Sequence, residues 1–237
     1  MDRTNTHGVL LTPLASLFYK DTLSAVSELL EELNVSGYKY MWPIAVINPR
    51  FPGWQDDMSI MLDEWGCVAV RLFPNYHAYT LPDTQIADFF VEVQNRDLPL
   101  IVSVRMEDER LHHWMMRVEP VSHLDITWLL RSYPDIKIIL CGLHPTELDL
   151  ITDDILTHSN AYVDTSIRMP QFYMEEMISR LGPERIVYGT AMPLNYPESF
   201  LFQLNNAHIS EDARQCILCD NASRLFGLNV QTGQGEK

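Results

Sequence analysis

Basic residues are scarce in this chain of 237: 17 Lys and Arg stand against 32 Asp and Glu, for a formal net charge of −15. Such a surface repels phosphate backbones and anionic lipid, which sets nucleic acid and membranes aside as partners. Cysteine is scarce too. Of Cys67, Cys141, Cys216 and Cys219, two lie in apolar strand-like runs, and Cys216-x-x-Cys219 has no second pair to complete a zinc site. A disulfide framework is therefore not expected, and a reduced, cytoplasmic setting is. No uncharged apolar stretch approaches the roughly 20 residues of a spanning helix. Pro13 splits the run from Val9 to Phe18, so a leader peptide is not expected either. Also missing are a Gly-x-Gly-x-x-Gly turn and a Gly-x-x-x-x-Gly-Lys-Ser/Thr loop, which removes the main support for dinucleotide and P-loop folds. A Ser-His-Asp triad lacks its Gly-x-Ser-x-Gly elbow.

What is present is an alternation. Short Val- and Ile-rich runs at 8–12, 41–48, 67–73, 98–104, 136–141, 161–164 and 185–189 are separated by stretches with helical apolar spacing. The helical stretches are 21–33, 84–94 behind the N-cap Asp83, 123–133, 175–181 ending at Gly182-Pro183, and 211–219 behind Ser210 with a short helix over 221–226. Continuous apolar strands with helical crossovers predict an α/β fold with a parallel sheet. Polar groups recur at the ends of several strands, as the mouth of a (β/α) barrel requires. Hydrophobic residues make up 46% of the chain and no linker interrupts the pattern. One domain over 1–230 is expected, with a frayed polar tail at 231–237.

Two junctions carry most of the candidate chemistry. Val70-Arg71-Leu72-Phe73-Pro74-Asn75-Tyr76-His77-Ala78-Tyr79 places an arginine, an imidazole and two phenols at one strand end. Arg71 offers a planar donor for a carboxylate, His77 a group titrating near neutrality, and Tyr76 and Tyr79 amphipathic walls. The competing reading is a loop with aromatic packing. At the next junction the strand runs into Arg105-Met106-Glu107-Asp108-Glu109-Arg110-Leu111-His112-His113. Arg105 and Glu107 share one parity and are expected to pair; Arg110 adds a second cation, and a helix start with acids in its first turn is the plain alternative. His112 and His113 point about 100° apart on a helix, which makes joint chelation awkward. Later strand ends supply Asp164 with Ser166, then Thr190, while His144 follows Cys141. Asp164 is a general base, a metal ligand or a turn former.

These segments, together with Arg185-Ile-Val-Tyr-Gly-Thr-Ala-Met-Pro193 and Asn221-Ala-Ser-Arg-Leu-Phe-Gly-Leu228, resemble the amidohydrolase-related family of metal-dependent TIM-barrel hydrolases. The resemblance implies a (β/α) barrel and a divalent metal held by His-x-His, two further histidines and an aspartate. The chain departs from that pattern at each place: it has no His-x-His, Arg105 where a histidine is expected, Gly142 at the sixth-strand histidine and Ala191 at the aspartate. The first βα unit also looks absent, by deletion or a misplaced start. Seven βα units with two open edges predict a homo-oligomer.

Two functions follow. One is an amidohydrolase-like hydrolase, or less readily a decarboxylase, acting on a small carboxylated or cyclic metabolite. Glu107, Asp164 and His77 would be its acid–base residues, and Arg71, Tyr76, Tyr79, Arg105, Arg110 and Thr190 its substrate contacts. The other is a catalytically inactive, metal-free barrel that binds or senses a metabolite. No cofactor is expected; zinc or manganese would need substitute ligands among His77, His112, His113, His144, Glu107 and Asp164.

Overall fold

The computed structural model describes residues 4, 6–37, 39–115, 117–167, 170 and 172–228; the expected tail at 231–237 lies outside them. All seven expected strands form. In chain order the elements are β1 (Val9–Leu11), α1 (Thr22–Ser36), β2 (Met41–Pro43), β3 (Ala45–Val46), α2 (Trp54–Ser59), β4 (Val70–Leu72), α3 (Ala87–Asn95), β5 (Pro99–Ser103), α4 (His123–Ser132), β6 (Lys137–Cys141), α5 (Pro145–Thr157), β7 (Ala161–Asp164), α6 (Tyr173–Leu181), β8 (Ile186–Val187), α7 (Pro197–Asn206), α8 (Glu211–Gln215) and α9 (Asn221–Phe226). The run expected over 41–48 splits into β2 and β3 at Ile44, whose N–H still donates to Leu11 O at 2.8 Å. β1 pairs with β2, and β3 to β8 follow in sequence order, every pair parallel. This is a TIM-barrel-like α/β fold.

Local signals explain the helices. The Asp21, Asp83 and Ser122 side chains accept the N–H groups of Leu23, Gln85 and Leu124, and α6 stops at Gly182. Three helices escape the periodicity reading: α2, which runs on into a π turn over Ile60–Glu64, α5 and α7. α5 and α7 each begin with a proline in the first turn, a start signal on its own.

Strand alternation sorts the core into two layers. Leu100 and Val102 of β5 pack outward against Phe89, Phe90 and Ile126, whereas Ile101 faces inward with Ile44, Ala69, Ile139, Tyr162 and Val187. That parity sends Arg71, Ser103, Cys141 and Asp164, each two residues beyond an inward apolar side chain or its register partner, to the carboxyl rim of the interior.

The two strand edges are treated differently. Ile186 O and Tyr188 N lie on the outer side of β8; Asn221 Nδ2 donates to the first at 2.7 Å and Ile217 O accepts from the second at 3.0 Å. The same Asn221 Nδ2 donates to Pro183 O at 2.8 Å, and the residue is fully buried. α9 then spans toward β1, where Leu225 and Phe226 join the inner cluster that contains Leu10 and Val187. So the expectation of two open edges is corrected: a side-chain amide and a helix cover β8, because its orphan backbone groups cost free energy when buried. β1 remains a sheet edge among the described residues.

Asn221→Ala strips donors from two buried carbonyls and is expected to destabilise the fold by about 2–4 kcal/mol. Equilibrium urea denaturation with an unchanged m-value checks this.

Candidate functional site

The inner rim is built around Arg71. Its Nε donates to Ser103 Oγ at 2.8 Å and its Nη1 to Thr12 Oγ1 at 3.2 Å, so one side chain on β4 reaches the ends of β5 and β1. The guanidinium carbon lies 5.2 Å from the centroid of the Phe73 ring. Arg71 is half-buried and has no carboxylate within ion-pair distance among the described residues. In this acidic chain that is unusual: Arg50, Arg96, Arg105, Arg110, Arg131 and Arg180 each contact an Asp or Glu. Arg185 instead donates to the backbone carbonyls of Ile155, His158 and Ala161. Arg71 Nη2 makes no hydrogen bond among the described residues.

Cys141 lies within electrostatic reach of this guanidinium and of Asp164, and both Cys141 and Asp164 are buried. Burial, with Asp164 adding to it, pushes the Cys141 thiol well above its usual range. Asp164 Oδ1 accepts the Gly142 N–H at 2.9 Å. Two glycines make room here. A Cβ on Gly189 would lie 2.6 Å from Asp164 Oδ2, and one on Gly142, which has φ +79°, would lie 2.7 Å from Arg105 O. Neighbouring, a cleft of ≈ 270 Å³ is lined by Arg105, Glu107, Arg110, Ser166, Ile167 and Asn195, among others. It opens on the junction after β5 that the sequence singles out.

Arg105 itself does not have the expected partner. Its two terminal nitrogens donate to the Glu147 carboxylate at 2.7 and 2.5 Å, Nη1 also to Gly142 O at 2.9 Å, and Nε to Glu109 at 3.2 Å. The chain leaves extended geometry after Ser103, so parity no longer aims Arg105 and Glu107 together. Glu147 also accepts the His144 N–H at 2.9 Å, capping α5. The arginine thus ties the β5 loop to the start of α5, and its donors are engaged. Glu107 instead lies 3.7 Å from His112 Nε2 and faces Tyr76, whose phenol burial and that carboxylate push up.

The remaining predicted residues separate. Arg110 lines the cleft but pairs with Asp108, holding that carboxyl well below its usual range. His77 points to the 3-10 turn Leu14–Leu17, with Nε2 2.8 Å from Ser16 O and Nδ1 buried without a partner among the described residues; burial lowers its pKa. Tyr79 belongs to the helix–sheet core with its hydroxyl unpartnered, and so forms no wall of the mouth. Thr190 Oγ1 accepts the Met192 N–H at 3.3 Å in the turn after β8. His113 and His144 are engaged locally with Met115 N and Thr146 Oγ1. Thr12, Ser103, Cys141 and Asn195 escape sequence reasoning. Carrying the inward parity of Arg71 across to neighbouring strands would have found Ser103 and Cys141; nothing local marks Thr12 or Asn195.

With this geometry in hand, the chain matches the Amidohydro_2 amidohydrolase family over residues 39–228, and it belongs to that family. Among solved structures it is similar to 2,6-dihydroxybenzoate decarboxylase from Rhizobium, with TM-score 0.73 and 18% identity, over 96% of this chain and 86% of that one. A dihydroxybenzoic acid decarboxylase from Polaromonas, solved with manganese and the inhibitor 2-nitroresorcinol, gives TM-score 0.71 and 18% identity, over 96% and 83%. A TIM-barrel protein from Bordetella bronchiseptica gives 0.68 and 18%, over 85% and 71%. At these identities the likeness shows the fold. No curated protein sequence matches.

The manganese in one neighbour raises the question of what could hold a cation here. Among the described residues no three His, Cys, Asp or Glu side chains are grouped for a metal. At the inner rim Asp164 already accepts the Gly142 N–H, Cys141 is held in its thiol form, and Arg71 places a positive charge among them. These residues do not fit a divalent cation.

Arg105→Ala is expected to cost about 2–3 kcal/mol, since it strands the partly buried Glu147 and unties the β5 loop from α5. Chemical denaturation reads this directly; a change near zero would return Arg105 to the mouth as a free cation.

A pH effect follows from two imidazoles. Burial lowers the pKa of His77 and of His158 from the ordinary 6.5. The unfolded chain then binds more protons than the folded one below that value, so stability declines as pH falls through it. Denaturation midpoints measured from neutral pH downward should drop, and less steeply in His77→Asn.

Proposed function

We propose that this amidohydrolase-family chain receives a small carboxylated metabolite, cyclic or aromatic, at the carboxyl mouth of its barrel, with Arg71 taking the carboxylate. One observation carries this: Arg71 sits half-buried in an acidic protein on neutral hydroxyl anchors, with a terminal nitrogen left over and no acid paired to it among the described residues. A half-buried cation without a counter-charge is costly, and a ligand carboxylate offsets that cost. The names of the decarboxylase neighbours, whose substrates are benzoic acids, point to the same ligand class by analogy. The roles first assigned to Arg105 and Arg110 pass to Arg71 in this reading, because Glu147 and Asp108 occupy their donors.

A second reading, turnover of that metabolite by hydrolysis or decarboxylation, is favoured by Asp164. Its carboxylate is fixed by the Gly142 N–H at the end of β7 on the same inner rim, where an acid–base group would work on a bound acid. Glu107, on the neighbouring cleft, is the alternative proton carrier.

Calorimetry against substituted benzoic acids and their uncharged amides separates carboxylate recognition from simple apolar binding. The acids should bind and the amides should not, and Arg71→Met should weaken the acids about 10–100-fold. Equal binding of acid and amide would sink the proposal. Mass analysis of the incubated acids then tests turnover, which Asp164→Asn should abolish.

A further inference from the structure

A neighbour of the same fold was solved with bound manganese, yet the donors at the inner rim of this chain do not fit a divalent cation. That mismatch has a structural answer. The inner rim keeps a fixed positive charge, supplied by a side chain. We infer that the Arg71 guanidinium stands in for the metal: it is the cationic centre on which a small carboxylate docks, and its presence keeps a divalent cation out of the mouth. This rests on the carboxylate reading above.

Four features of the geometry favour it. Arg71 is anchored at both Nε and Nη1, by hydroxyls on β5 and on the loop after β1, so the cation is held at the rim by the ends of three strands. Neutral anchors leave its charge undiminished, unlike the carboxylate partners of Arg105 and Arg110. Nη2 and the second hydrogen of Nη1 remain, and this pair of donors matches the two oxygens of a carboxylate. Phe73 beneath the guanidinium fixes its plane.

Exclusion of a metal follows from the neighbours. A cation entering between Arg71 and Asp164 would meet like-charge repulsion from the guanidinium. It would find a single carboxylate, already hydrogen-bonded to Gly142, beside a buried protonated thiol and two hydroxyls. Hydroxyls and a thiol make a poor set for manganese, which prefers carboxylate, carbonyl and water oxygens. Removing Arg71 alone would not supply the missing ligands.

The full-length protein, stripped with chelator, is dialysed against manganese or zinc and assayed by elemental analysis. 2,6-Dihydroxybenzoate is the binding probe, titrated calorimetrically with EDTA and separately with manganese. Wild type should retain no stoichiometric cation, and its affinity for the acid should be the same in both buffers. Arg71→Ala should lose affinity about tenfold or more, and millimolar methylguanidinium should restore part of it. Ser103→Ala, which frees one anchor and leaves the charge in place, should show a smaller loss and guards against an Arg71 variant that fails to fold. One cation retained per wild-type chain, or acid binding that requires manganese, overturns this inference while leaving carboxylate recognition intact. A wild type that binds the acid in neither buffer overturns both readings.

Discussion

A charged side chain inside a barrel must be held and neutralised, and among the described residues Arg71 is held without being paired to an acid. Its contacts set the arrangement of the mouth. Reaching Thr12 requires the loop after β1 to come within 3.2 Å of a β4 side chain, and reaching Ser103 requires β5 to end where it does. The turn Leu14–Leu17 then closes over the same side of the barrel, with Leu17 packed on Val46 and Phe73. His77 secures that turn through Ser16 O. This apolar cluster lies on one side of the mouth, and the cleft lined by Arg105, Gly142, Ser166 and Asn195 lies beside it. An imidazole that looks like an acid–base residue in sequence therefore acts as a fastener in the fold.

The fold was legible because buried parallel strands and amphipathic crossovers leave periodic traces. Runs such as Leu98 to Val104 and Ile136 to Cys141 contain β5 and β6 almost without remainder. The site was legible only in part. Arg71 and Asp164 could be read from strand ends, since parity along a regular strand fixes which face each side chain takes. Arg105 could not, because its partner Glu147 lies 42 residues away on a helix whose start signal is a proline and a capping glutamate. Pairing across that distance is decided by tertiary packing. Asn221 is the same kind of case: its amide replaces strand hydrogen bonds at β8, a role invisible in a sequence that reads as an ordinary helix start.

Charge placement also changes how the departure from the family pattern is understood. Reading along the chain, Arg105 occupies the neighbourhood of a lost ligand and looks like the charge opposing a cation. In three dimensions Arg105 is a strap: its charge is paired with Glu147 across the start of α5. Arg71, on a different strand, rests on two hydroxyls and makes no ion pair among the described residues. Short-range pairing in a partly buried site outweighs the distant field of a chain with net charge −15. An acidic protein can in this way keep a cationic point for a small anion: carboxylates pair with Arg105 and Arg110 at the neighbouring cleft, while Arg71 rests on neutral hydroxyls.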